Sequence, residues 1–161
     1  MKGKPAVIDG LSEVLCAELT AINQYFHHHT LCEDWGFDLL AKAIREESID
    51  EMKHAESISE RILYLEGEPN LQKYSKIEIG KDVPDLMQKD LALEIEAVDR
   101  LNRLITLCQS EGDHGSAQLL ISILADEEHH IEWIEQQISL IDSLGLQLYL
   151  SRQVSGGGGG E

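Results

Sequence analysis

Proline, aromatic residues and basic residues are scarce in this chain of 161 residues, and each shortage restricts what the protein can be. Only three prolines occur, and residues 37–66 and 81–111 lack glycine, so long helices can form without interruption. Aromatic residues make up 5%, which leaves a mostly aliphatic core. Lys and Arg total 13 against 30 Asp and Glu. A nucleic-acid partner is therefore not expected, because such binding neutralises phosphates with basic side chains.

Cysteine pairs and long apolar runs are also missing. Three cysteines occur without a CxxC motif, so we predict free buried thiols in a reducing cytosol rather than a disulfide framework. No apolar run approaches the roughly 20 residues that span a bilayer, and the first residues carry no apolar signal-peptide core. These absences predict a cytoplasmic protein that makes no membrane contact.

Apolar residues at helical spacing are abundant, and they predict four long helices. The connection over residues 66–82 has no helical periodicity and is long for a bundle, where a few residues usually suffice. We therefore expect a crossover that places the third helix parallel to the second. The stretch "LQLYLSRQV" predicts a short fifth helix. The four long helices are predicted over residues 5–34, 38–65, 82–111 and 115–143.

The predicted fold class is all-α: a ferritin-like four-helix bundle with a long crossover between helices two and three and a short fifth C-terminal helix. We place one domain over residues 1–154. Residues 155–161, "SGGGGGE", are of low complexity, and we predict a flexible Gly-rich tail.

Acidic residues and histidines interrupt the apolar stripe of every long helix. Helices one and three each carry one glutamate in phase with the stripe, and helices two and four each carry a Glu-x-x-His pair. An ionised carboxylate is costly to bury without a partner. A pair of iron ions would compensate this charge, and the pattern matches the ligand plan of carboxylate-bridged di-iron bundles. The six candidate metal ligands are Glu18, Glu51, His54, Glu94, Glu127 and His130.

A single Glu-x-x-His pair would be weak evidence, since such pairs occur by chance on solvated helix faces. Core salt bridges are the competing interpretation of the buried acids. No Lys or Arg lies on the four stripes near these residues, which favours the di-metal hypothesis.

Several longer segments resemble bacterioferritin, the haem-containing bacterial ferritin. The segments "MKGKPAVIDGLSEVL", "ELTAINQYF", "ESIDEMKHAE", "RILYLEGEPNLQ", "LADEEHHIEWIE" and "LGLQLYL" follow one another in family order. The resemblance implies iron storage in a haem-containing shell of twenty-four identical subunits. It also implies ferroxidase activity, in which Fe(II) is oxidised by O2 or H2O2 at a di-iron centre within each subunit, with Glu51 and Glu127 as bridging ligands.

The resemblance further implies roles for two residues outside the six ligands. Tyr25 matches a family tyrosine beside the di-iron centre, although a core aromatic residue explains it equally well from the sequence alone. Met52 matches the axial ligand of haem b, one haem being shared by two subunits across a twofold axis. A ferredoxin that reduces this haem for iron release is the implied protein partner.

The sequence departs from the family pattern in places. Some members have a histidine where this chain has Glu46, at an inner-surface iron site; Glu46, Glu47 and Asp50 could bind iron, but a solvated acidic cluster is the plainer interpretation. His129 is not expected to be a core ligand. The histidines of "HHHT", residues 27–30, are expected at the surface or at an interface.

Two other kinds of protein stay open from the sequence. One is a di-iron redox enzyme that forms no cage, such as a rubrerythrin-like peroxidase or a manganese catalase. The other is an interaction bundle that uses its acidic faces to bind partners. A DNA-protecting mini-ferritin is disfavoured by the acidic balance.

Overall fold

The computed structural model describes residues 1–156, and the long helices match the predicted ranges closely. The predicted tail begins at residue 155 and falls largely on residues 157–161, which lie outside the described residues. Within the described part of the chain, no helix is both long and apolar enough to cross a membrane. The helices are α1 (Pro5–Asp34), α2 (Asp38–Tyr64), α3 (Val83–Ser110), α4 (His114–Leu144) and α5 (Leu146–Ser151).

The crossover between α2 and α3 runs the length of α1. Its residues hydrogen-bond to the start of the chain and then to successively later positions of α1, so α3 begins beside the C-terminal half of α1. As a result α3 is antiparallel to α1 and parallel to α2, as the long connection predicted. The contacts are Gly3 N–H to Leu65 O (2.9 Å), Ser75 N–H to Thr20 Oγ1 (2.9 Å) and Gly80 N–H to His28 Nε2 (3.0 Å).

Aspartates begin α3 and α4 in the way their sequences predict. The Asp82 side chain accepts a hydrogen bond from Asp85 N–H, and the Asp113 side chain accepts one from Ser116 N–H, both at 2.9 Å. Each bond satisfies an otherwise unpaired amide in the first helical turn. The short turn before α4 makes it antiparallel to α3.

Two apolar clusters form the core, one in each half of the bundle. One packs Leu11 and Leu15 against residues of the other three long helices, including Leu104 and Leu120. The other packs residues such as Met87 and Tyr149, the latter from α5. The polar residues of the helix stripes lie between these clusters, at mid-length of the bundle.

The expectation that all the "HHHT" histidines lie at a surface was wrong for His28, which is completely buried. His28 shares the inner face of α1 with Gln24 and Tyr25, because residues three and four apart in a helix lie on the same side. His27 is exposed, whereas His29 is half-buried against the Ala41 carbonyl. The three cysteines are free thiols; Cys16 is only half-buried, whereas Cys32 and Cys108 are buried as predicted.

Candidate metal centre

All six predicted ligands are buried and face one another at the centre of the bundle. Each long helix contributes at least one, because each stripe places its polar residue at the same height. The ligand atoms form two groups, and within each group they lie within 4.8 Å of one another. We call them the first half-site and the second half-site. The first consists of Glu18, Glu51, His54 and Glu127, and the second of Glu51, Glu94, Glu127 and His130.

Two carboxylates belong to both half-sites and divide their oxygens between them. Glu51 places Oε2 3.2 Å from His54 Nδ1 and Oε1 3.1 Å from His130 Nδ1. Glu127 places Oε1 3.1 Å from His54 Nδ1 and Oε2 3.2 Å from His130 Nδ1. A carboxylate with one oxygen in each half-site can bridge two cations, which is the role that the resemblance implies for both residues.

The remaining glutamates belong to one half-site each. Glu18 Oε2 lies 3.5 Å from His54 Nδ1, and Glu94 Oε1 lies 3.6 Å from His130 Nδ1. Each half-site therefore has one terminal carboxylate, one imidazole nitrogen and two shared carboxylates. This set of oxygen and nitrogen donors suits iron and similar divalent metals.

Several atoms of the centre are buried without a hydrogen-bond partner among the described residues. They are Glu51 Oε1, both carboxylate oxygens of Glu127, His130 Nδ1 and, beside His130, Glu47 Oε2. They lie 2.7 to 3.2 Å from oppositely charged atoms, but the angles are not those of a hydrogen bond. Buried polar atoms are normally satisfied, so these point to a cation that would satisfy them. The residues present thus fit a pair of metal ions.

Burial and the crowding of charges shift the pKa values of the centre. Burial, reinforced by Glu51, raises the pKa of Glu18, and burial raises the pKa of Glu94 despite the nearby His130. Burial would also raise the pKa of Glu127, but the nearby positive charges of His130 and His54 outweigh it and lower the pKa. Burial would lower the pKa of both histidines, but the surrounding carboxylates outweigh it and raise both. Without a metal the centre therefore favours bound protons.

The predicted neighbour Tyr25 touches the second half-site. Its hydroxyl is buried and donates a hydrogen bond to Glu94 Oε1. Burial and the charges of Glu94 and Asp90 raise the pKa of Tyr25, so the phenol stays protonated. Tyr25 is thus a donor to a candidate ligand rather than an isolated core aromatic residue.

Two carboxylates that the sequence did not single out as partners hold the far side of each imidazole. His54 Nε2 lies 3.1 Å from Asp126 Oδ2, and His130 Nε2 lies 2.7 Å from Glu47 Oε2. The hydrogen bond between His54 Nε2 and Asp126 leaves Nδ1 of His54 available to a metal, a common support for histidine ligands. The contact between His130 and Glu47 is an ion pair without hydrogen-bond geometry. Glu47 lies one turn before Glu51 on α2, so its position on the inner face could have been found from spacing. Asp126 gave no such signal, because it directly precedes Glu127 and lies off the inner face, with its side chain 60% exposed.

The remaining candidates lie on the outside of the centre. Met52 is 55% exposed, since it points away from its buried neighbour Glu51. Glu46 is exposed, and Asp50 forms an ion pair with Lys53 at 2.8 Å. His129 is exposed and lies 3.7 Å from Glu132, which agrees with the expectation that it is not a core ligand.

The bundle, its crossover and this paired centre define a ferritin-like helical protein, and residues 8–144 match the ferritin-like domain family. The chain is 47% identical over 155 residues to a bacterioferritin of Mycolicibacterium paratuberculosis, covering 96% of this chain and 98% of that protein. It is 50% identical over 151 residues to a bacterioferritin of Streptomyces coelicolor, covering 94% and 90%. The chain belongs to the bacterioferritin family.

Solved structures agree with this assignment. A bacterioferritin structure from Mycobacterium tuberculosis superposes with a TM-score of 0.95 at 46% identity, covering 96% of this chain and 98% of that one. A second mycobacterial bacterioferritin structure gives the same TM-score at 47% identity and covers 96% of each chain. The fold class and the family resemblance predicted from the sequence are therefore confirmed.

Proposed function

We propose that this protein is a ferroxidase that stores iron: it binds two Fe(II) ions as substrate at the paired centre, and the oxidised iron is stored as Fe(III) mineral. Membership of the bacterioferritin family supports iron storage. The observation that carries the ferroxidase proposal is the division of the Glu51 and Glu127 oxygens between two half-sites. This arrangement suits two cations held side by side.

Each residue has a separate task in this proposal. Glu51 and Glu127 bridge the two ions, Glu18 and Glu94 bind one ion each, and the Nδ1 atoms of the histidines complete the half-sites. The four carboxylates balance the charge of two divalent ions. Tyr25 donates to Glu94 and so fixes which of its oxygens faces the second half-site.

Two neighbouring iron ions suit the electron count of the reaction. Each Fe(II) that becomes Fe(III) releases one electron, and two electrons with two protons convert O2 to H2O2, or H2O2 to two water molecules. Either oxidant is therefore compatible with the paired centre. The carboxylates that bind Fe(II) bind the harder Fe(III) as well, so both oxidation states are accommodated.

Stopped-flow absorbance after anaerobic Fe(II) loading tests the proposal. Glu18→Ala and His130→Ala should each nearly abolish rapid Fe(II) oxidation, because each removes a ligand from a reaction that needs both ions. His129→Ala is the matched control, since it removes an exposed imidazole one position away and should oxidise Fe(II) like the wild type. Unchanged fast phases in both Glu18→Ala and His130→Ala would overturn the ferroxidase assignment.

The same proposal includes a closed cytoplasmic shell of twenty-four identical subunits. The near full-length likeness to bacterioferritins supports a shell, and α5, with Leu146 and Leu148 exposed, offers apolar side chains for subunit contact. Light scattering at moderate salt should give a mass near twenty-four chains. A stable monomer in the presence of metal would contradict the shell.

Haem b, one per two subunits, is the last part of the proposal, with Met52 as axial ligand. Support comes from the exposed position of Met52 on α2, where one subunit cannot place two copies of it on one haem. A twofold interface supplies the same residue from both sides. A ferredoxin would then reduce the haem and assist iron release.

Haem content of wild type and Met52→Leu, both expressed with supplied haem, tests the ligand. Leucine keeps the apolar volume, a swap that usually costs below about 1.5 kcal/mol, so folding should persist while haem is lost. Iron uptake should stay near normal, and reductive iron release should slow. Equal haem in the two proteins would place the ligand elsewhere.

A further inference from the structure

A second buried polar cluster lies beside the metal centre and takes no part in the proposed ligand set. Asp90 and His28 are both buried, and His28 Nδ1 lies 2.9 and 3.0 Å from the two oxygens of Asp90. Gln24, also buried, donates from Nε2 to Asp90 Oδ1 at 2.8 Å. We call Gln24, His28 and Asp90 the α1–α3 network.

The α1–α3 network also holds the end of the crossover. Gly80 N–H donates to His28 Nε2 at 3.0 Å, and Glu78 N–H donates to Gln24 Oε1 at 3.0 Å. Because Nε2 accepts, the imidazole proton sits on Nδ1 and points at Asp90. A Cβ at Gly80 would come within 2.4 Å of the backbone of Leu86, so the crossover is seated tightly at this point.

The same two helices carry Tyr25 and Glu94, which meet at the edge of the second half-site. Asp90 precedes Glu94 by one helical turn, so both lie on the inner face of α3. Gln24 directly precedes Tyr25 on α1, and Tyr25 donates to Glu94. The α1–α3 network therefore joins α1 to α3 one turn away from the contact between Tyr25 and Glu94.

This placement affects the two half-sites unequally. Glu94 is the one candidate ligand from α3, and it belongs to the second half-site alone. The first half-site takes its ligands from the other three long helices. A change in the position of α3 along α1 would therefore move a ligand of the second half-site and leave the first intact.

We propose that Gln24, His28 and Asp90 are positioning residues that fix α3 against α1 and thereby set Glu94 and Tyr25 for binding of the second metal ion. The inference rests on the metal-binding part of the proposed function. Ligand geometry must be held within about 0.5 Å, and loss of supporting partners typically lowers metal affinity about 10- to 100-fold. Five hydrogen-bond contacts join α1, α3 and the crossover, four of them buried and one partly buried, and they are suited to that precision.

The experiment titrates anaerobic protein with Co(II), whose visible spectrum reports the ligands of each bound ion. Wild type should bind two Co(II) per chain. Asp90→Ala should keep tight binding of one ion and weaken binding of the other about 10- to 100-fold. Its spectrum at one Co(II) per chain should match that of Glu94→Ala and differ from that of Glu18→Ala, since only the second half-site is affected.

Two further variants separate positioning from general loss of stability. Asp90→Asn keeps an oxygen that accepts from Gln24 and His28, so it should recover most of the second affinity; it also serves if Asp90→Ala does not fold. Arg61→Gln is the matched control, because it breaks a partly buried ion pair with Asp113, 2.7 Å long, near the other end of the bundle. It should lower stability without changing the ratio of the two Co(II) affinities.

The outcomes are distinct. Equal weakening of both ions in Asp90→Ala, or the same loss of the second ion in Arg61→Gln, would overturn the positioning role while leaving the metal centre in place. Two tightly bound ions in Asp90→Ala would overturn it too. If wild type bound no Co(II), the metal centre of the proposed function would fail, and the inference with it.

Discussion

Two clusters of buried carboxylates and imidazoles lie one turn of α3 apart, and they differ in how their polar atoms are satisfied. In the α1–α3 network every polar side-chain atom near His28 has a partner, and backbone amides complete the set. At the metal centre, Glu51, Glu127 and His130 keep buried atoms without hydrogen bonds. Both clusters nevertheless bring carboxylates and imidazoles together in the core.

The difference shows how to separate a scaffold from a site. A satisfied buried cluster holds secondary-structure elements together and needs nothing further from outside the chain. An unsatisfied one destabilises the fold unless a ligand binds, so its persistence in a packed core indicates that a ligand does. The four predictions below test this contrast, beginning with the largest effect.

Zinc, which does not change oxidation state, should bind at the metal centre and not at the α1–α3 network, and this binding should raise the melting temperature of the protein. At a hundredfold excess over the dissociation constant, each bound ion contributes about 2.7 kcal/mol, so two should raise the melting temperature by about 10 °C or more. Differential scanning calorimetry would measure the shift. Glu127→Ala, which affects both half-sites, should abolish it, whereas Asp90→Asn should keep most of it. A full shift in Glu127→Ala would contradict the site.

Removal of a carboxylate from the satisfied cluster should destabilise the chelator-treated protein. Asp90→Ala leaves the donors of His28 and Gln24 buried and unpaired, which should lower the free energy of unfolding by about 3 kcal/mol. Urea denaturation followed by circular dichroism would measure it. The exposed Asp99→Ala is the control, with an expected change within about 0.5 kcal/mol. Equal stability of Asp90→Ala and wild type would mean that the network contributes nothing.

Rising pH should lower the free energy of unfolding of the chelator-treated protein. The pKa values of Glu18, Glu94, His54 and His130 are raised in the folded state, so the native protein holds more protons than the unfolded chain as pH rises above about 4.5. Stability then falls with rising pH, by about 1.4 kcal/mol per pH unit for each extra proton held. The lowered pKa of Glu127 affects stability only at more acidic pH, below this range.

Urea midpoints between pH 5 and pH 9 would measure this slope. Glu18→Gln should flatten it, and zinc should flatten it further, because a bound cation replaces the protons. The surface charge repulsion that all variants share stays constant across this comparison. A slope that is identical in wild type and Glu18→Gln would show that the centre does not control the pH dependence.

The smallest expected effect is the change in stability when one carboxylate of each cluster is replaced by its amide, and the two changes should have opposite signs. Glu94→Gln should stabilise the chelator-treated protein slightly, because burial raises the pKa of Glu94 and the neutral amide carries no charge to bury. Asp90→Asn should destabilise it slightly, since the amide cannot accept as strongly from His28. Urea denaturation of both variants and the wild type under the same conditions would measure the two changes. A loss of stability in Glu94→Gln would contradict the proposed difference between the two clusters.

The helices and the candidate ligands were accessible to prediction because both depend on local periodicity. A glutamate at Glu18 or Glu94 is in phase with its apolar neighbours, and a helix of any tertiary arrangement would turn it to the same face. His28 and Asp90 carried the same signal: each lies three or four residues from a stripe position. His28 was missed because a run of three histidines resembled a surface patch.

The sequence by itself determined the number of helices, the crossover and the inward acids, since spacing along a helix decides which side chains share a face. Only the tertiary structure decided which oxygens of Glu51 and Glu127 face which imidazole, that Asp126 supports His54, and that Asp90 pairs with His28. These contacts join residues from different helices. Their distances depend on how the helices pack, and no periodicity within one helix records that.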